Sequence, residues 1–127
     1  MPTVFITGAS RGIGRAAALL FAGQGYLTAV NYNRSEAEAL SSVAIQGDVS
    51  DFTRCAEMIK KAEDAFGPVD TLINNAGISC DKLFTDTSPE DWSRTFAVNV
   101  GGAYNCCRAV LPGMISRKRG SIVNVSS

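Results

Sequence analysis

The sequence predicts an α/β protein built on a doubly wound parallel sheet. Three observations point there. Five short stretches, Thr3–Thr7, Leu27–Tyr32, Val43–Gln46, Thr71–Asn75 and Ser121–Val125, are near-continuous apolar or β-branched runs. Such runs mark strands buried on both faces, since a half-exposed strand would alternate. Helical segments lie between them, as right-handed strand–helix–strand crossovers require. The first strand also runs directly into a glycine-rich turn and then a helix.

The first strand leads into Thr7-Gly8-Ala9-Ser10-Arg11-Gly12-Ile13-Gly14. Gly8 allows a tight turn, Gly12 lets the backbone approach a phosphate, and Gly14 lets the helix pack closely on the strand. The helix start then offers unpaired N–H groups and a partial positive charge to an anion. Ser10 can bond phosphate or close a local turn. Arg11 can grip a phosphate or remain a solvated first-turn residue. The helix, residues 11–24, carries Ile13, Ala17, Leu20 and Phe21 on one stripe, and Gly23 or Gly25 can end it.

The second strand closes on Val30-Asn31-Tyr32-Asn33-Arg34-Ser35, and residues 35–42 form a very short crossover. The third strand is followed by Asp48-Val49-Ser50-Asp51, which can meet a ligand or cap the next helix. That helix, residues 52–66, carries Cys55, Met58, Ile59, Ala62 and Phe66 and stops at Gly67-Pro68. The fourth strand ends in Asn74-Asn75-Ala76-Gly77. Ser88-Pro89-Glu90-Asp91 combines an N-cap, a first-turn proline and two dipole-favourable acids. A long helix over residues 96–117 follows, with Phe96, Val100, Tyr104, Cys107, Leu111 and Ile115 on one stripe. Its slim end, Gly101-Gly102-Ala103, suits packing on the sheet or a close contact between subunits. Pro112 is expected to kink it. The fifth strand runs into Asn124-Val125-Ser126-Ser127.

The 127 residues fit one domain, 1–127. Twelve basic residues balance twelve acidic ones, so no charge field favours nucleic acid or an anionic membrane. No apolar run approaches the roughly 20 residues of a spanning helix. A strand near the N-terminus, without a leader pattern, makes a cytoplasmic location the expectation. The four cysteines form no C-x-x-C pair and there is no histidine, so free thiols and no metal are expected. Any acid–base chemistry must do without histidine.

Taken together, T-G-x-x-x-G-x-G at Thr7–Gly14, N-N-A-G at Asn74–Gly77, Asn99, and N-V-S-S at Asn124–Ser127 resemble the short-chain dehydrogenase/reductase family. The resemblance spans the whole chain in order. Its texture is most like the 3-oxoacyl-[acyl-carrier-protein] reductases. It implies a Rossmann-type sheet of seven strands, of which the chain holds the N-terminal five. It also implies reduction of a carbonyl to a secondary alcohol, on a small-molecule or acyl-carrier-protein-bound substrate in fatty acid biosynthesis, by a homodimer or homotetramer joined through residues 88–117.

The cofactor expectation is NADP(H), because the second strand ends without the acid that would take NAD ribose hydroxyls, and Arg11 and Arg34 would attract a 2′-phosphate. The resemblance places Gly8, Ser10, Arg11, Gly12, Ile13 and Gly14 on the pyrophosphate. Asn33, Arg34 and Ser35 lie near the 2′-phosphate, Asp48 and Val49 on the adenine, and Asn75, Ala76 and Gly77 beside the adenosine ribose. For catalysis it implies that Ser127 orients the carbonyl and Asn99 holds a water in a proton relay.

The family's Y-x-x-x-K pair has no counterpart, since Tyr26, Tyr32 and Tyr104 lack a lysine four residues on. A catalytically incomplete nucleotide-binding fragment or sensor is therefore a second reading. A sugar- or steroid-type dehydrogenase is a third. An apolar fifth strand left as an open edge, with the short 35–42 crossover, suggests a piece of a longer chain.

Overall fold

Five parallel strands form one sheet in the order β3-β2-β1-β4-β5. In the computed structural model, residues 1–34 and 43–126 are described. The elements are β1 (Thr3–Ile6), α1 (Gly12–Gly23), β2 (Leu27–Tyr32), β3 (Val43–Gln46), α2 (Phe52–Phe66), β4 (Thr71–Asn74), a 3₁₀ turn at Phe84–Asp86, α3 (Pro89–Asn99), α4 (Gly101–Arg117) and β5 (Ser121–Asn124). The crossover at 35–42 lies outside the described residues.

From β1 the chain moves outward through β2 to β3, then returns to place β4 against the other side of β1. The register pairs Phe5 with Ala29 on one side and with Leu72 on the other. The order reverses between β1 and β4, and in open α/β sheets the crevice for a ligand opens at the strand carboxyl ends there.

Successive side chains of a strand point to opposite faces, and β1 shows it. Val4 and Ile6 join Val30, Ile73 and Ala18 in a core under α1. Phe5 joins Ala29, Leu72, Met58 and Val110 in a larger core under α2 and α4. Burial of a side chain such as Phe5 or Leu72 contributes about 1.5–3 kcal/mol.

Two expectations about helix faces need correction. In α1, Ile13 is 67% and Leu20 64% exposed. Gly14 and Ala18 are the buried residues, with Ala17 and Phe21 partly buried. The helix sits so close to the chain beneath it that small residues, not large ones, face inward. The long helical stretch is likewise two helices, α3 and α4, meeting at Val100. The interruption falls there and not at Pro112, through which α4 continues to Arg117. The expected stripe faces outward, with Phe96, Val100, Tyr104, Leu111 and Ile115 exposed. The inner face is Gly102, Asn105, Cys106, Val110 and Met114. The slim end of α4 is used within the chain, because a Cβ on Gly102 would stand 2.6 Å from Val49 Cγ2.

Candidate functional site

The glycine-rich turn has its shape for three different reasons. Gly8 and Gly12 have φ of +62° and +61°, left-handed conformations that side chains disfavour. At Gly8 a Cβ would also stand 2.8 Å from Ala76 Cα. At Gly12 it would meet no protein atom within 4 Å, so backbone conformation is what the protein itself requires there. At Gly14 a Cβ would lie 2.4 Å from Asn75 Nδ2 and 2.5 Å from the Gly8 carbonyl oxygen. The close approach at Gly14 is thus to the loops that end β1 and β4 rather than to a strand.

The buried amide of Asn31, the half-buried one of Asn75 and the buried Thr7 hydroxyl lock the strand ends together. Thr7 Oγ1 accepts from the N–H groups of Asn75 and Ala76, each at 2.9 Å. Asn75 Nδ2 donates back to the carbonyls of Thr7 at 3.2 Å and Gly8 at 3.1 Å. Asn31 Oδ1 accepts from Gly8 N at 3.2 Å, and its Nδ2 donates to Gly47 O at 3.0 Å. Asn31 therefore ties the glycine turn to the end of β3. Asn31 bonds main chain on two neighbouring segments and Asn75 on one, which a hydrophobic residue could not do.

The start of α1 is open. Its N-cap residue, Arg11, makes no side-chain cap bond, and its first turn holds no acid. The first-turn N–H groups can then serve an anion. Above them lies a crevice of about 560 Å³. Gly8, Ser10, Arg11, Asn33, Arg34, Asn75, Ala76 and Gly77, from three separate stretches of the chain, are brought together in its lining. Ile78, Ser79 and Arg94 complete it, and among the described residues no carboxylate lines it.

Ile13 is on the exposed face of α1, outside this lining. Gly12, Gly14, Asp48 and Val49 also lie outside it, Val49 being buried. Ser35 and Ser127 lie outside the described residues. Arg94 was not legible in advance. It comes from α3, far along the chain, and Trp92-Ser93-Arg94-Thr95 carries no ligand signature.

Asp48 faces Arg94. Its carboxylate accepts from Ser50 N at 2.9 Å and Ser50 Oγ at 2.7 Å, and pairs with Arg94 Nη2 at 3.0 Å. Partial burial pushes its pKa up, but the bonds from Ser50 and Arg94 outweigh this and hold it below the ordinary value. The helix-capping alternative goes to Asp51, which accepts from Arg54 N at 3.0 Å.

Asn99 closes α3 and clasps the loop after β4. Its Oδ1 accepts from Ile78 N at 2.8 Å and its Nδ2 donates to Ile78 O at 2.9 Å. Both ends of the carboxamide are committed, so a water-holding role would fall to its main-chain atoms. Beside it, at the ends of β4 and β5, lies a smaller cavity of about 210 Å³ lined in part by Asn74, Asn99, Asn124 and Ser126. Asn74 Nδ2 donates to Asn124 Oδ1 at 3.0 Å across it.

Comparison with known proteins bears on this geometry. Residues 2–127 match the family model described as short chain dehydrogenase. The chain is 40% identical over 136 aligned positions to a 3-oxoacyl-[acyl-carrier-protein] reductase of Staphylococcus epidermidis, covering 98% of the chain and 56% of that protein. It is 38% identical over 128 positions to an acetoacetyl-CoA reductase of Paracoccus denitrificans, covering 96% of the chain and 53% of the relative. A solved short-chain dehydrogenase from Streptomyces avermitilis superposes with a TM-score of 0.89 at 33% identity, over 99% of the chain and 49% of that structure. The chain thus spans about half the length of the proteins it matches.

Proposed function

The chain belongs to the short-chain dehydrogenase family, and from that premise we propose that it is the NADP(H)-binding part of a carbonyl reductase. The observation that carries the cofactor reading is the crevice itself. Arg11 and Arg34 line it with no carboxylate among the described lining residues, while Arg94 beside them is paired to Asp48. A 2′-phosphate is the cofactor group that such a lining favours.

The open start of α1 and the left-handed Gly8 and Gly12 would hold the pyrophosphate. Arg11, with Ser10, Asn33, Arg34 and Ser35, would serve the phosphates. Asp48 and Val49 would form the adenine wall, and Asn75, Ala76 and Gly77 the ribose floor. When bound, the reduced nicotinamide supplies the hydride. Ser127 orients the substrate carbonyl, and Asn99 keeps the loop at Ile78 in place and supports the proton relay through its main chain.

The substrate class we propose is a 3-oxoacyl thioester, first of all 3-oxoacyl-[acyl-carrier-protein] reduced to the 3-hydroxyacyl form in fatty acid biosynthesis. The names of both relatives above support it. The proposed assembly is a homodimer or homotetramer in the cytoplasm, joined through the exposed apolar stripe of α3 and α4. Among the described residues no helix is long and apolar enough to cross a membrane.

The test is a titration of the chain with NADPH and with NADH. NADPH is expected to bind at least about tenfold tighter, equivalent to about 1.4 kcal/mol, and Arg34→Glu to remove that preference. Tighter binding of NADH overturns the cofactor reading. A second reading is a nucleotide-binding fragment or sensor without turnover, because none of Tyr26, Tyr32 and Tyr104 within these 127 residues has a lysine four positions on. The chain alone is accordingly expected to bind NADPH yet leave acetoacetyl-CoA unreduced. Turnover by the chain alone would refute that second reading.

A further inference from the structure

Val49 lies between β3 and α2, where neither a ladder nor a helix supplies partners for the main chain. The carbonyls of residues 47–49 are nonetheless all held. Gly47 O accepts from Asn31 Nδ2 and Asp48 O from Asp51 N, each at 3.0 Å. Val49 O accepts from two buried donors, Asn105 Nδ2 at 2.9 Å and Cys55 Sγ at 3.2 Å. A carbonyl oxygen has two lone pairs, so this one is filled.

The donors come from different helices, α4 and α2. Asn105 is a buried amide on an otherwise apolar inner face, a costly placement without a partner. The Cys55 sulfur in turn accepts from the Cys106 thiol at 3.7 Å. Gly102 completes the mould by leaving room for the Val49 side chain.

We propose that Asn105 and Cys55 are positioning residues through which α4 and α2 set the Asp48–Val49 corner, and with it the affinity for the adenosine half of the cofactor. This rests on the assignment of Asp48 and Val49 to the adenine wall.

The experiment titrates the chain with adenosine 2′,5′-bisphosphate, well below the thermal midpoint. Asn105→Leu keeps the volume and removes the donor. Affinity is expected to fall about threefold to tenfold, the range for one buried hydrogen bond. Cys55→Ala removes a weaker donor and is expected to cost about twofold. A merely structural residue would lower the midpoint and leave the dissociation constant of folded protein unchanged, and that result overturns the proposal.

Should Asn105→Leu fail to fold, Gly102→Ala carries the test. It removes no donor but pushes Val49 aside, so the same loss is expected, and wild-type affinity overturns the proposal. Asp48→Ala separates the two readings. If it weakens binding while Asn105→Leu and Gly102→Ala do not, the positioning role fails. If it too leaves the affinity unchanged, the adenine-wall assignment fails and takes this proposal with it.

Discussion

The helices α1, α2 and α3 begin in two ways, while α4 runs on from α3 at Val100 without a side-chain cap. α2 and α3 close their own first turns. Asp51 accepts from Arg54 N, and Ser88 and Asp91 bond each other's main chain reciprocally, each at 3.0 Å. α1 begins on an arginine that makes no cap bond, in a turn shaped by two left-handed glycines. Where a helix only has to be stable, its free N–H groups are satisfied locally. Where it faces a crevice, they are left open and the turn is held from outside by Asn31, Thr7 and Asn75.

The strongest way to break this contrast is Gly14→Val. The new side chain would collide with Asn75 Nδ2 and the Gly8 carbonyl. Overpacking of this kind costs about 1–3 kcal/mol, and NADPH binding is expected to disappear with it. Urea unfolding and calorimetric titration check both. Wild-type binding would mean that the contact of the turn with Asn75 does not shape the site.

Arg11→Asp would turn the open start into a closed one. The extended backbone there, φ −159° and ψ 174°, already suits a cap. Stability is expected to rise by about 0.5–1 kcal/mol, while NADPH affinity falls about tenfold, or 1.4 kcal/mol. A variant that gains stability and keeps its affinity would sink the phosphate assignment. The reverse substitution in kind, Ser88→Ala, opens a closed start. It should cost about 1 kcal/mol of stability and leave NADPH affinity unaltered, readable in the same two experiments.

The smallest effect is a pH dependence. The bond from Lys82 and the main-chain bond from Ser88 hold the Asp91 pKa down, from 3.8 to about 2. A carboxyl depressed on folding adds stability above its unfolded value, and that stability is lost as pH falls through the folded one. The loss should appear between about pH 4 and pH 2, and Asp91→Asn should flatten that part of the stability curve. An unchanged curve would mean that the α3 cap does not depend on the charge.

The strands were legible almost to the residue, β1, β2 and β4 because burial on both faces demands apolar runs. β3 and β5, at the sheet edges, are largely exposed, which corrects the expectation of burial on both faces for them. β2 and β3 run as expected, and β1, β4 and β5 end one residue earlier. Along the crevice, the glycine turn, Asn33, Arg34 and the N-N-A-G stretch were legible because each lies next to a strand end in sequence. Arg94, Asn31 and Asn105 were not, since their partners are 44, 23 and 56 residues away. The faces of α1 and α4 were misjudged for a related reason. A hydrophobic stripe points to the largest apolar side chains. Close helix packing instead puts Gly14, Ala18 and Gly102 inside and leaves Ile13, Leu20 and Ile115 out.

By itself the sequence determined the parallel sheet, the order of its elements, the family and an acid-free end to the second strand. These follow from local composition and spacing, which act over a few residues. Only the tertiary structure decided which faces are buried, which amides brace the loops and that Arg94 joins Arg11 and Arg34 in one crevice. Those outcomes depend on how closely the helices approach the sheet and on where distant buried carbonyls find donors, and no local pattern encodes either.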